Sequence, residues 1–269
     1  MINLSEIIPT KDGGAPKILF YAADKFGKST FAAQAPNPIF LDLDKRLKEI
    51  KCSKIPVGSF EDLVEAIGAL IKQEHTFKTI VLDSGGTAEQ LAAKAVVEEY
   101  NVGKAPDKTI DAVGSIPYGA GYPALLAKWK RLLNGLQLLN DKGLIILMLC
   151  HADYIDWENS DGTKFKRYLP DLKGSSDKAG SILSFTRKWM DVTMYGHQPR
   201  YNQSIQDGFD KKKVKMVAGA LGDRQLCTEE TALWVAGNSY KLPESVPFPE
   251  EGAWDNLYEL IKNSNKEDR

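Results

Sequence analysis

The chain has 269 residues, with 35 Lys and Arg against 36 Asp and Glu; a formal net charge of −1 excludes an overall field for nucleic acid and confines any such contact to local patches. A hydrophobic fraction of 43% and a charged fraction of 26% fit a globular protein with a sizeable core, either one α/β domain with elaborations or at most two small domains. Cys52, Cys150 and Cys227 show neither metal spacing nor an even disulfide framework, MINLSEII is too short and acidic for a signal peptide, and the longest apolar run, Leu144 to Cys150, is far below membrane-spanning length, so the sequence predicts a cytoplasmic protein with no membrane partner.

Residues 1–16 read as a lead-in ending in the turn Asp12-Gly13-Gly14. The stretch 17–30, KILFYAADKFGKST, then gives an apolar strand, a polar turn, Gly-Lys-Ser-Thr and the small-residue start of a helix. That order is the context a phosphate-binding loop requires. The nucleotide-binding residues are Ala22, Ala23, Asp24, Lys25, Phe26, Gly27, Lys28, Ser29 and Thr30; Lys28 reaches the β- and γ-phosphates and the Ser29 hydroxyl ligates Mg²⁺. Ala22 stands where the first glycine is usual, which implies a negative φ or slight strain there. A chance Gly-Lys-Ser in a surface turn is the competing reading, and the flanking strand and helix weigh against it.

Pro36 and Pro38 deliver a second strand, Ile39 to Asp44. Ser59 caps a helix with Leu63, Ile67, Leu70 and Ile71 on one face, and Thr79 to Ser84 reads as a buried strand ending in an acid. A helix follows over 87–100. Residues 101–122, rich in Gly and Pro, predict a long mobile loop. Pro123 then begins a helix with Leu125, Trp129, Leu132, Leu133 and Leu136 on its apolar face, and LIILMLC forms a core strand closing on His151. Two short strands, Tyr154–Glu158 and Lys164–Leu169, flank the turn Ser160-Asp161-Gly162. A helix around 177–190, a strand over 192–197, further strands at 211–220 and 232–237, a proline-rich connector and a helix carrying Trp254, Leu257, Tyr258 and Ile261 complete the chain.

The strands end in the loop, Asp42/Asp44, Asp83 and His151, at the edge where open parallel sheets bind ligands. Asp83 after Ile-Val-Leu has the character of a Walker B acid that holds Mg²⁺ near Ser29. Asp44 is the candidate base that orients water on the γ-phosphate, with Asp42 on the opposite face of the strand. His151 is placed to meet the γ-phosphate or that water; a purely structural histidine at a strand end is the alternative.

AADKFGKST, IFLDLD, IVLDSGG and LIILMLCH, in that order, resemble the RecA-type core ATPases, and especially the phage ATP-binding proteins of the Sak-type single-strand annealing and recombinase group. The resemblance covers roughly residues 15–240. It implies a RecA-like P-loop NTPase domain spanning 1–269: a mostly parallel sheet flanked by helices, core about 15–200, with an antiparallel extension and a C-terminal helix over about 201–263. In that family the second strand commonly ends Asp-x-Glu, the Glu serving as base; Asp44 occupies the place one methylene shorter. The implied activity is ATP hydrolysis with Mg²⁺, stimulated by DNA, in a ring or filament within a host cytoplasm.

The family's DNA-binding loops correspond here to residues 102–121 and 152–178. The second interleaves Tyr154, Trp157, Lys164, Phe165, Lys166, Arg167 and Tyr168, the mixture single-stranded DNA sites use. An amphipathic hairpin packed on the domain would look the same. Lys211, Lys212, Lys213 and Lys215 extend the path or are a solvated strand end. Arg224, Arg200 and Lys241 are candidates to complete a neighbour's nucleotide site. A P-loop switch or motor serving phage replication or packaging without DNA annealing is the alternative, and a small-molecule kinase ranks last because residues 101–122 hold no arginine.

Overall fold

The computed structural model describes residues 14–159, 161–172, 181–206, 212–218 and 223–267. The expected lead-in therefore lies almost wholly outside the described residues, as do Lys211, residues 173–178 and the side chains of Arg200, Lys212, Lys213 and Lys215. The core strands are β1 (Lys17–Ala22), β2 (Pro38–Asp42), β3 (Ser53–Pro56), β4 (Thr79–Asp83), β5 (Ile145–Glu158) and β7 (Val192–His197). They lie in the order β7-β1-β5-β4-β2-β3, all parallel. β10 (Gln225–Cys227) and β12 (Ser245–Pro247) extend the sheet antiparallel beyond β7. The fold is the mixed α/β architecture of a P-loop NTPase core, and its antiparallel extension is built from β10 and β12 rather than from the strands expected at 211–220 and 232–237.

Period-two alternation splits the core between the two faces of the sheet. Leu19, Tyr21, Leu41, Leu82, Ile146 and Met148 point to the face covered by α2 (Phe60–Lys72), α3 (Gly85–Asn101), α4 (Gly121–Asp141) and α5 (Ile182–Trp189). Ile18, Phe20, Phe40, Val81, Leu147 and Leu149 point to the other, where α1 (Lys28–Ala33) and α6 (Ala253–Glu267) pack through Phe31 and Trp254. Strands buried on both faces read as unbroken apolar runs, which is why these were legible.

Several expectations need correction. β2 stops at Asp42 rather than Asp44. Leu43 and Asp44 lie in the loop that follows, and the amides of both donate to Asp83 O. The exposed edge strand β3 comes next, without the apolar alternation that would have announced it. The segment 102–120 is built of short 3₁₀ turns at 106–108, 113–115 and 117–119 rather than a mobile loop. Val113 and Ile116 are buried in the core, and the Asn101 side chain clasps the backbone of Ile110 through both its amide atoms. α4 begins at Gly121, where a Cβ would lie 2.1 Å from Val113 O, so the close approach demands glycine. β5 does not close on His151 but continues to Glu158 and turns back as β6 (Lys164–Pro170). The expected strand over 232–237 reduces to β11 (Gly237–Asn238), paired with β7. β8 (Arg200–Gln206) and β9 (Lys212–Ala218) form a separate hairpin.

Ala22 pairs in register with Gly196 of β7, and a Cβ on Gly196 would meet Ala22 Cβ at 2.6 Å and the Phe26 ring at 2.6 Å. The methyl that replaces the usual loop glycine is thus accommodated by a glycine on the next strand. Gly196→Ala is expected to destabilise the fold by about 1–3 kcal/mol through overpacking, measured by urea unfolding. The cost should be smaller in an Ala22→Gly background; equal costs in both would show that the two positions do not compete for space.

Candidate active site

β1 enters the site between β5 and β7, with Ala22 beside His151. The chain then turns through 23–27, with Lys25 at φ 59° and Gly27 at φ 109°, and enters α1 at Lys28. Lys28 is 8% exposed, and its ammonium donates to Ala22 O at 2.9 Å and Ala23 O at 3.0 Å. Burial pulls its pKa down, while Asp24 and Asp83 push it back up. Ser29 Oγ donates to Asp83 Oδ2 at 2.8 Å. Burial raises the Asp83 carboxyl above its ordinary value, and the Ser29 hydrogen bond only partly opposes this.

The two carboxylates at the end of β2, Asp42 on the strand and Asp44 just past it, serve different partners. Asp42 is 2% exposed; it binds Lys54 Nζ at 2.8 Å and accepts the Lys45 amide at 2.9 Å, a structural assignment that ties β2 to β3. Asp44 turns toward the loop. Its Oδ1 accepts from Ser84 Oγ at 3.1 Å and from Thr87 Oγ1, and its Oδ2 lies 3.5 Å from His151 Nε2. Burial pushes Asp44 up, but the hydrogen bonds from His151, Thr87 and Ser84 together hold it below its ordinary value. The separation of Asp42 from Asp44 arises in the loop, since the strand has already ended.

His151 bridges two acids. Nε2 faces Asp44, and Nδ1 is 2.6 Å from Asp24 Oδ1 of the loop, an ion-pair contact off the hydrogen-bond direction. The Asp44 hydrogen bond raises the His151 pKa, against burial, which lowers it. The His151 amide donates to Asp171 Oδ1 at 2.9 Å, and the Asp171 amide returns a bond to His151 O at 3.0 Å. Asp171 is pushed up by burial.

Ser84, Thr87 and Asp171 were not among the expected site residues. Ser84 and Thr87 had a signal: Ser84 caps α3, accepting from the Thr87 amide, so the S-x-x-T spacing sets both hydroxyls at one helix start. Gly85 and Gly86 between them allow close approach, since a Cβ on Gly86 would lie 2.1 Å from Asp171 Oδ2. Asp171 had no local signal, because the return of β6 alone brings it to His151. Of the candidates for a neighbour's site, Arg224 is turned inward on its own loop, and Lys241 sits on an exposed turn at φ 51°.

Hairpin β5–β6 carries the expected aromatic and basic residues on two faces. Lys164 pairs with Glu158 at 3.4 Å, Lys166 stands over the Tyr154 ring at 3.8 Å and opposite Asp156, and Arg167 binds Glu230. Phe165 is half-buried opposite Trp157. Tyr154, 48% exposed, begins a chain of ring contacts through Tyr168, Tyr195 and Trp234 to His197.

Among the described residues no group of three or more His, Cys, Asp or Glu could hold a metal ion by itself. The Ser29–Asp83 pair nevertheless fits Mg²⁺, a hard ion that takes one or two protein oxygens and completes its shell from phosphate and water. The arrangement can therefore gather a triphosphate, its metal and an oriented carboxylate at one sheet edge.

In comparison with known proteins, a model of the AAA domain family matches residues 15–240, which takes in the loop, Asp44, Asp83, His151, Asp171 and Arg224. No curated protein matches the chain. Because the match extends over most of its length, the chain belongs to the AAA domain family of P-loop ATPases.

Proposed function

We propose that the protein hydrolyses ATP with Mg²⁺ and couples that hydrolysis to single-stranded DNA, as a homo-oligomer, in the manner of the phage single-strand annealing and recombination proteins that its motif order resembles. The observation that carries the ATPase reading is the 2.8 Å contact of Ser29 Oγ with Asp83 beside the Lys28 ammonium. When bound, Mg²⁺ neutralises charge developing on the phosphoryl oxygens.

In this reading Lys28 leaves the carbonyls of Ala22 and Ala23 for the phosphate oxygens, and Ser29 and Asp83 hold the metal. Asp44 orients the attacking water through Oδ2, since Ser84 and Thr87 occupy Oδ1. Asp44 acts as the base for that water, one methylene shorter than the glutamate usual in the family that the motif order resembles. His151, released from Asp24 when phosphate enters, meets the γ-phosphate and transmits its presence through Asp171 to the root of β6.

The DNA reading draws support from Tyr154 and Lys166, an exposed ring and cation on one face of the hairpin. A second reading, a P-loop switch or motor without intrinsic DNA contact, is favoured by a different observation: Lys164 and Arg167 meet acids, and Lys166 lies opposite Asp156.

Lys28→Ala is expected to weaken nucleotide binding or turnover on the order of a hundredfold. Asp83→Asn should weaken Mg²⁺-dependent binding, whereas Asp44→Asn should spare binding and slow hydrolysis on the order of a hundredfold or more. Titration with an ATP analogue alongside steady-state ATPase rates separates them. Normal hydrolysis by Asp44→Asn would remove Asp44 as the base.

The nucleotide-free protein should also show a pH signature. His151 has its pKa raised above 6.5, so the stability from its pairing with Asp44 is full below pH 6.5 and disappears as pH rises through the raised value. Asp44 is depressed below 3.8, so its share is full above pH 3.8 and disappears as pH falls through the depressed value. The melting-temperature difference between wild type and His151→Gln should therefore be greatest between these limits and shrink toward alkaline pH. A difference independent of pH would show that His151 is not charged against Asp44.

For DNA, replacing Lys164, Lys166 and Arg167 together with Ala should weaken single-stranded DNA binding and flatten its salt dependence while leaving basal ATPase intact. Phe165→Ala should reduce affinity at unchanged salt slope. Absence of wild-type DNA binding with an ATP analogue present would select the switch or motor reading.

A further inference from the structure

The Phe26–Gly27 peptide plane of the phosphate-binding loop is held by a residue far away in sequence. Gly27, at φ 109°, occupies a conformation that L side chains rarely adopt, and glycine crosses easily between such states. The plane joining Phe26 to Gly27 is therefore not fixed locally. Across a trans peptide the carbonyl and the next N–H point in opposite directions, so whatever holds Phe26 O also aims the Gly27 N–H.

Arg224 holds that oxygen. Its Nη1 donates to Phe26 O at 2.6 Å, and the residue is 8% exposed. The guanidinium lies over the Phe26 ring at 5.6 Å and the Phe248 ring at 5.1 Å. Phe248 is fastened in turn: its amide donates to Arg224 O at 2.9 Å, and its ring packs on Phe20 and Phe31. A Cβ on Gly27 would sit 3.3 Å from Arg224 Nη1, so the arginine lies beside the permissive residue and leaves little room for a side chain there. A planar guanidinium suits a seat between two rings, and a lysine ammonium does not. Phe248 lies beyond residue 240, outside the stretch the family shares.

We propose that Arg224, seated between Phe26 and Phe248, is a positioning residue for the phosphate-binding loop, and that through it the C-terminal segment sets the affinity for nucleoside triphosphate. In this role the arginine acts through Phe26 O: it fixes the Phe26–Gly27 plane and so the direction of the amide that follows. The affinity part rests on the reading of this loop as a triphosphate site, whereas the loop-fixing part does not.

The test compares wild type with Arg224→Met, Arg224→Lys and Phe248→Leu in the full chain. Two readouts are taken: calorimetric Kd for Mg²⁺ and adenylyl imidodiphosphate, and amide hydrogen exchange over residues 22–30 without nucleotide. Arg224→Met is expected to weaken Kd by about tenfold or more, the scale of a lost charged hydrogen bond, and to speed exchange in the loop with β1 and β5 unchanged. Arg224→Lys should fall between, since it restores the donor without the plane. Wild-type Kd and loop exchange in a folded Arg224→Met protein would overturn the proposal. Should that variant not fold, unchanged loop exchange in both Arg224→Lys and Phe248→Leu would overturn it equally. A wild type that binds no analogue overturns the affinity part, while the exchange comparison still decides whether Arg224 holds the loop.

Discussion

The ammonium of Lys28 is almost wholly removed from water, and burying a charge is tolerable only if oxygen atoms surround it. In the nucleotide-free protein two loop carbonyls meet it directly, and the fields of Asp24 and Asp83 oppose the downward pull of burial on its pKa. The other contacts at the sheet edge follow from the same need. Ser29 turns to Asp83, Asp24 reaches His151, and His151 faces Asp44, so each group that a triphosphate and its metal would engage already has a partner. The site is thus closed upon itself, and on the proposed reading substrate entry would exchange these partners rather than fill bare charges.

The sheet order converts this local requirement into a fold. Placing β5 and β4 next to β1 sets His151 and Asp83 within reach of the loop, and Asp44 arrives on the loop after β2 because its amide is held by Asp83 O. These elements were legible in the sequence because each strand is an apolar run with its chemistry at the tip, and Gly-Lys-Ser marks the turn. What was not legible depends on contacts between distant segments. The stretch 102–120 reads as mobile from its Gly and Pro content, yet Val113, Ile116 and the Asn101 clasp order it. Asp171 joins the site only because β5 continues past His151 and β6 returns in register. β3 escapes notice because an exposed edge strand carries no alternation to read.

The hairpin illustrates how a sequence signal can be real and still leave function open. Its interleaved rings and cations are present, but antiparallel pairing sets Lys164 against Glu158 and Lys166 against Asp156. Cross-strand pairing of opposite charges stabilises a hairpin by itself. Composition counts the cations, whereas register determines which acids already face them. The exposed Tyr154 ring with Lys166 above it offers both stacking and charge to any nucleic-acid contact there.

α1 has six residues, too few to stand as a helix without tertiary support. Its support comes from distant parts of the chain. Ala22 fits because Gly196 lacks a side chain, Phe31 is packed by Phe248 and Trp254, and the Gln34 side chain donates to Glu250 O at 3.0 Å. The most recognisable motif in the sequence is therefore the one least able to hold its own shape. A nine-residue pattern suffices to identify it, since phosphate chemistry fixes the types of side chain. Its geometry, however, is supplied by β7, by Arg224 and by the segment after residue 240, which the family match does not include. Substitutions in that segment would then be felt at the nucleotide while leaving every residue of the motif untouched.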